Sequence, residues 1–312
     1  MSHGIVPEHA ELPPPTLEEV SPGVFAYVQL DGSWFLNNAG FVVGPDSVIA
    51  IDTLGTERRA HAFHDAVRRT STKPVQALIN THSHGDHTHG NFVFSPASAI
   101  IAHERCREDV RRANPAGVRA RFPTGDFGEF PIVPPMITFS ERAKVYAGEL
   151  EIELIHLGPA HTTNDVVAWL PERRVLFSGD LVFNGGTPFA AAGSIAGWIE
   201  ALPALRALGA ETVVPGHGAV CGPDVFDQVE AYLRFVEDTA ARGFRADTPP
   251  LALALATDLG EFAGLTDPER IAGNLHRAYS ELRGEPRGMP LSAQMFDDMI
   301  AYNGGQPLRC LA

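Results

Sequence analysis

Cysteine is scarce in this chain: Cys106, Cys221 and Cys310 are the whole complement of its 312 residues. An odd number, widely spaced and without a CxxC pair, excludes a disulfide framework and points to a reducing compartment. Positive charge is also short, with 24 Lys+Arg against 38 Asp+Glu and a formal net charge of −14. Nucleic-acid binding rests on Lys and Arg neutralising phosphates, so a nucleic-acid partner is not expected. No apolar run approaches the ~20 residues that span a bilayer. The stretch Met1–Pro15 lacks the apolar core of a signal peptide, and Pro13-Pro14-Pro15 would break one. No membrane partner is expected, and a cytoplasmic location is the default. Ser178 and Ser194 lack a GxSxG context, so neither reads as an activated nucleophile.

What is present is an ordinary globular content of 44% hydrophobic residues, with length enough for a large core. Histidine is the outlier: there are 13, roughly double the number that average composition gives. Residues 1–20 are Pro-rich and acidic and read as an N-terminal arm. Residues 21–222 carry short β-type runs broken by turn chemistry, at Val24–Val28, Trp34–Val43, Ser47–Asp52, Val75–Asn80 and Ala99–Ala102. Helices are expected over Glu57–Arg69 and Glu104–Ala113. Residues 114–139, with five prolines, read as a long irregular loop of the kind that is usually functional. A second β-rich stretch covers Lys144–Ala147, Leu150–Leu157, Asp165–Leu170, Val175–Ser178 and Thr212–Val214, with a helix at Trp198–Leu208. Residues 223–312 turn helical. One apolar stripe runs from Val225 to Ala240; a second, of Ile271, Leu275, Ala278, Tyr279 and Leu282, follows an Asp267-Pro268-Glu269 cap. The order suggests two β-layers with helices outside and a helical extension packed on that core.

The chemistry concentrates in Thr81-His82-Ser83-His84-Gly85-Asp86-His87-Thr88-His89, directly after an apolar run. Neutral imidazole and carboxylate are preferred ligands of zinc and similar divalent ions. His82 and His84 project to one side of an extended segment, and Asp86 and His87 follow across Gly85, where the chain can turn. Two ligands at one point and two at its neighbour are the layout for a pair of metals. Single polar residues end other apolar runs in Gly-rich turns: His161, Asp180 and His217.

His82-x-His84-x-Asp86-His87, followed in order by His161, Asp180 and His217, resembles the metallo-β-lactamase superfamily over residues 20–220. The resemblance implies an α/β fold, the αββα sandwich, with a two-metal site on one edge of the sheets. It would put His82, His84 and His161 on the first metal and Asp86, His87 and His217 on the second, with Asp180 bridging. Asp52 matches an early strand-end Asp of the family that orients a ligand, although Asp in Ile51-Asp52-Thr53 serves equally as a cap or turn residue. The implied cofactors are two divalent ions, Zn2+ first, with Mn or Fe as alternatives. Asp86 and Asp180 are the implied catalytic carboxylates.

Departures from the pattern narrow the reaction. Asp180 stands where β-lactamases of the superfamily generally carry Cys or Ser, which disfavours that activity. His84 stands where the flavodiiron branch has Glu, and the acidic balance opposes the nuclease branches. What remains is the ligand set of glyoxalase II, lactonases and thioesterases. Asn37-Asn38-Ala39-Gly40, Gly158-Pro159-Ala160-His161-Thr162, the run Phe189 to Gly197 and the tail from Ala301 to Ala312 resemble zinc hydrolases of aromatic polyketide pathways, of the actinorhodin-type bicyclase/thioesterase kind. That implies cleavage of an acyl thioester coupled to ring closure. The acyl or polyketide substrate would be carried on coenzyme A or an acyl carrier protein; a homo-oligomer is left open. A metal-holding binding module is the competing class. Pocket candidates are Phe122, Phe127, Phe130 and Phe189, with Arg119 and Arg121 nearby, each of which also reads as core packing or a solvated charge. His89 is the extra histidine nearest the cluster.

Overall fold

The structure, a computed structural model, describes residues 12–312. Most of the N-terminal arm lies outside the described residues, but its end does not remain an arm: Thr16–Ser21 form β1 and pair antiparallel with β2, Val24–Val28. β3 (Ala39–Val43), β4 (Val48–Ile51), β5 (Val75–Ile79), β6 (Ala99–His103) and β7 (Ile137–Phe139) complete a seven-stranded sheet in sequence order. Its pairs are antiparallel up to β4 and parallel from β4 to β7. Between these strands lie α1 (Glu57–Thr70), two short turns α2 (Gly85–Thr88) and α3 (Asn91–Phe94), α4 (Glu104–Arg111) and α5 (Pro115–Arg121). The second sheet has the order β12-β11-β10-β9-β8, from β8 (Arg142–Ala147), β9 (Leu150–His156), β10 (Val166–Leu170), β11 (Val175–Phe183) and β12 (Thr212–His217). Helix α6 (Ile195–Ala207) precedes β12. After it come α7 (Val225–Arg245), α8 (Pro250–Ala256), α9 (Arg270–Leu282) and α10 (Gln294–Tyr302).

Period-two alternation decides which side chains meet. Ile49 and Ile51 of β4 face Ala168, Leu170 and Phe177 of the second sheet in a shared inner core. Their neighbours Val48 and Ala50 turn outward onto Phe63, Ala66 and Val67 of α1. On the other side Val167 and Trp169 of β10 meet Trp198 and Leu202 of α6 and the apolar faces of α7 and α9. The central strands of both sheets are thus buried on two faces, and the layers run helix, sheet, sheet, helix. This is the expected α/β sandwich.

Several boundaries depart from expectation. Residues 114–139 are not wholly irregular: Asn114 caps α5, its side chain accepting from Gly117 N at 3.1 Å, and β7 adds to the sheet edge. The strand expected over Trp34–Val43 begins only at Ala39. Asn37 and Asn38 spend their side-chain amides on the Thr53 carbonyl at 2.9 Å and the Gly218 carbonyl at 2.7 Å, pulling the backbone out of the ladder. Asp267 does not cap α9; it pairs with Arg270 at 2.8 Å, and Leu282 ends the helix exposed.

Candidate metal centre

Strands β4 and β5 run parallel, as do β11 and β12, so their carboxyl ends lie together at one edge of the sandwich. That edge is where an open sheet leaves room for a ligand. Asp52 follows β4, His82 and His84 follow β5, and Asp86 and His87 sit in the turn α2. His161 lies in the loop after β9, while Asp180 and His217 belong to strands β11 and β12 rather than to turns beyond them. A register irregularity in β11 around Gly179 swings Asp180 inward. Gly216 makes room for it: a Cβ there would stand 2.0 Å from Asp180 Oδ1.

The structure brings all seven expected ligands together. His82, His84, His161 and Asp180 form one group and Asp86, His87 and His217 a second, with the ligand atoms of each group within 4.8 Å of one another. Asp180 belongs to both neighbourhoods: its carboxylate lies 3.2 Å from His161 Nε2, 3.0 Å from His87 Nε2 and 3.5 Å from His217 Nε2. Asp86 Oδ2 lies 3.3 Å from His217 Nε2.

The outer nitrogens fix the rings. His87 Nδ1 donates to Asp52 at 2.9 Å, and His217 Nδ1 to the Gly32 carbonyl at 2.9 Å. His161 Nδ1 donates to the Phe189 carbonyl. Thr81 Oγ1 gives its proton to Asp52 at 2.7 Å and so can accept from His82 Nδ1 at 3.1 Å. Each ring is thereby held in the tautomer that turns an Nε2 lone pair inward. Asp52 also accepts from Thr81 N at 2.7 Å and adopts φ +58° to do so, a left-handed conformation that Asp tolerates better than most residues.

The donor set fits divalent ions. His82 Nε2 is buried with no hydrogen-bond partner, and His87 Nε2 and Asp180 Oδ1 lie 3.0 Å apart without a well-directed hydrogen bond, a costly state for polar atoms that a cation would relieve. Ligand atoms on one tetrahedral zinc stand roughly 3.3–3.5 Å apart; within the first group His84 Nδ1 lies 2.8 Å from His161 Nε2, His161 Nε2 lies 3.2 Å from Asp180 and His82 Nε2 lies 3.8 Å from Asp180. Without cations the charges sort sharply. Burial and the neighbouring His84 hold His161 down to about 3, and burial with His87 holds His82 well below the ordinary range. His217 is raised to about 9 against the effect of burial, by Asp180 and Asp86; His87 is raised by Asp180, Asp52 and Asp86. Those histidines and their neighbours keep Asp180 and Asp86 ionised, again against burial.

The centre opens on a cavity of ≈ 150 Å3, reached by His84, Asp86, His161, Asp180 and His217. The remaining wall is aromatic and cationic, including Trp34, Phe122, Phe189, Phe296, Arg121 and Arg270. Of the four phenylalanines expected there, Phe122 and Phe189 line it. Phe127 packs edge-on to Phe35 at 4.9 Å, and Phe130 stacks on His89 at 4.1 Å. His89 is structural: it is buried, holds the Gly55 carbonyl from Nδ1 at 3.1 Å, and is pushed by burial down to about 4. Arg119 is tied to Gly128 O and Glu129, away from the cavity.

Sequence reasoning missed Asp165, which gathers Ala160 N, Thr162 N and Thr162 Oγ1 within 3.2 Å and so shapes the His161 loop. The signal was a Thr three residues before an Asp, a spacing suited to local side-chain return. It also missed Trp34 and Arg270, whose only joint signal is tertiary.

The family profile described as "Metallo-beta-lactamase superfamily" matches residues 32–217. The chain is 32% identical over 180 residues to the 2,4-dinitroanisole O-demethylase subunit alpha of Nocardioides sp. (strain JS1661), covering 56% of this chain and 51% of the relative. It is 24% identical to the metallo-beta-lactamase type 2 of Elizabethkingia meningoseptica, over 56% of this chain and 65% of that one. It thus spans about half to two thirds of these curated relatives. Among solved structures, the DIM-1 metallo-beta-lactamase matches with a TM-score of 0.58 and 20% identity over 72% of this chain and 99% of the other. A metallo-beta-lactamase from Pontibacter korlensis matches with a TM-score of 0.57 and 21% identity over 71% and 99%.

Proposed function

The chain belongs to the metallo-β-lactamase superfamily, and on that premise we propose that it is a binuclear metal hydrolase that cleaves the thioester of an aromatic acyl group. The observation that carries this reading is the joining of seven candidate ligands, most of them buried, to a cavity walled by Trp34, Phe122, Phe189 and Phe296. His82, His84 and His161 would hold one ion, Asp86, His87 and His217 the other, and Asp180 both. Bound there, divalent ions supply Lewis-acid polarisation of a carbonyl and an acidified water. The chain's own residues do the rest. Asp52, Thr81 and the Gly32 and Phe189 carbonyls hold the imidazoles in place, so no reorganisation is needed during reaction. Asp86 is the more open carboxylate, with its side chain 13% exposed against 4% for Asp180, and is the group placed to accept the proton of the attacking water. The aromatic wall orients a flat acyl group and excludes solvent from it.

Coupling of this cleavage to ring closure of an aromatic polyketide, with the acyl group on coenzyme A or an acyl carrier protein, is the finer form of the proposal. It is supported by the aromatic cavity and by the Asp at position 180. A second reading, hydrolysis of small esters, lactones, glutathione thioesters or β-lactams, shares the same centre. The relative named for O-demethylation of 2,4-dinitroanisole adds an aromatic ether to the candidates. A turnover panel on zinc-loaded protein distinguishes them: benzoyl- and naphthoyl-coenzyme A, S-lactoylglutathione, an acyl lactone, a chromogenic β-lactam and 2,4-dinitroanisole. The proposal predicts the highest kcat/KM for the aryl thioesters; a preference for the lactone, the glutathione thioester or the β-lactam would replace it with the second reading.

A further inference from the structure

We infer that the acyl group this cavity takes carries an anionic substituent, a carboxylate or a comparable oxyanion, remote from the thioester, and that Arg121 is the residue that selects it. The inference rests on the hydrolase reading for where the carbonyl end lies. Two arginines reach the cavity, and they differ in what neutralises them. Arg270 is fully buried, lies over Trp34 at 4.0 Å, and already has Asp267 as a partner at 2.8 Å.

Arg121 lies at the end of α5 with its guanidinium 4.3 Å over the ring of Phe296, and among the described residues it forms no ion pair. Arg119, two positions earlier on the same helix, is bonded to the Gly128 carbonyl and faces Glu129 at 4.0 Å, so the lack of a partner is specific to Arg121. An Arg stacked on an aromatic ring keeps its edge donors in one plane, which suits a planar oxyanion. Phe122, Phe189 and Trp34 line the same cavity as Arg121 and the histidine cluster and suit a flat ring system. A wall that carries an unpaired guanidinium as well as the cation-binding cluster matches a flat acyl group with a second, anionic oxygen function.

The test compares two probes on zinc-loaded protein by isothermal titration, 2-naphthoate and 2,6-naphthalenedicarboxylate, so that catalysis is not required. The dicarboxylate is expected to bind about tenfold more tightly, a charge-assisted contact partly screened by solvent. Arg121→Ala and Arg121→Glu should bring the two probes within about twofold of each other, while Arg121→Lys keeps most of the difference. Metal content and thermal midpoint should match wild type in all three variants. Equal affinities in wild type, no measurable binding of either probe, or a difference that survives Arg121→Ala would overturn the inference. Failure of aryl thioesters to turn over would instead strike the hydrolase reading and leave these titrations to stand alone.

Discussion

The carboxylate of Asp52 receives the Nδ1–H of His87 at 2.9 Å, and through Thr81 Oγ1 at 2.7 Å it also steadies His82. One residue that binds no metal therefore orients a ligand from each group.

Replacing Asp52 by Ala should weaken metal binding, and more at the Asp86, His87 and His217 group than at the other. Loss of such an outer partner costs about 10–100-fold in affinity. Asp52→Asn, which keeps an acceptor oxygen without the charge, should fall between. Competition against a chromophoric chelator measures both; unchanged affinity in Asp52→Ala would show that Asp52 is only a turn residue.

Protonation sets stability in opposite senses at the two ends of the pH scale. His89 sits at about 4 when folded against 6.5 when free, a difference of about 3 kcal/mol. Its folded value is depressed, so its contribution is present above pH 6.5 and is lost as pH falls toward 4. His89→Phe keeps the stack on Phe130 and should flatten the acid limb of the thermal midpoint, at a cost of about 1 kcal/mol at neutral pH for the lost bond to Gly55. In chelated protein His217, raised to about 9, contributes stability that is present below pH 6.5 and lost as pH rises through 9. Midpoints of chelated wild type between pH 4 and 10 should fall at both ends; an acid limb unchanged by His89→Phe would refute the assignment.

Gly85 is required here by space rather than by backbone freedom, for a Cβ there would lie 2.3 Å from the His89 ring. That ring is clamped between Phe130 and the Gly55 carbonyl and has nowhere to move. Gly85→Ala should destabilise by about 1–3 kcal/mol and lower metal occupancy as α2 shifts. Denaturant unfolding with parallel metal analysis checks both; wild-type stability would mean the ring yields.

The clustered histidines and carboxylates were legible because their residue types are rare together and stand in or just after apolar runs. The layers followed from alternation in strands such as β10 and from stripes such as Val225 to Ala240, where every residue of the stripe is buried. What was not legible depended on partners far apart in sequence. Trp34 enters the cavity because Glu269 accepts its Nε1–H at 2.7 Å and Arg270 stacks on it, more than two hundred residues away. Asp180 looked like a turn residue because a Gly beside it reads as a strand end, whereas the irregularity at Gly179 keeps β11 running to Phe183. Phe127 and Phe130 have the same composition signal as Phe122 and differ only in what they pack against.

The proposed hydrolysis turns on two ions acting together through Asp180. Its most direct measurement follows naphthoyl-coenzyme A cleavage as zinc is returned stepwise to chelated protein, with Asp180→Asn alongside. Activity should rise until two ions are bound per chain, and Asp180→Asn should remain folded with activity lowered by about 100-fold or more at any zinc level. Full activity at one ion per chain, activity in the chelated protein, or an undiminished Asp180→Asn would contradict it.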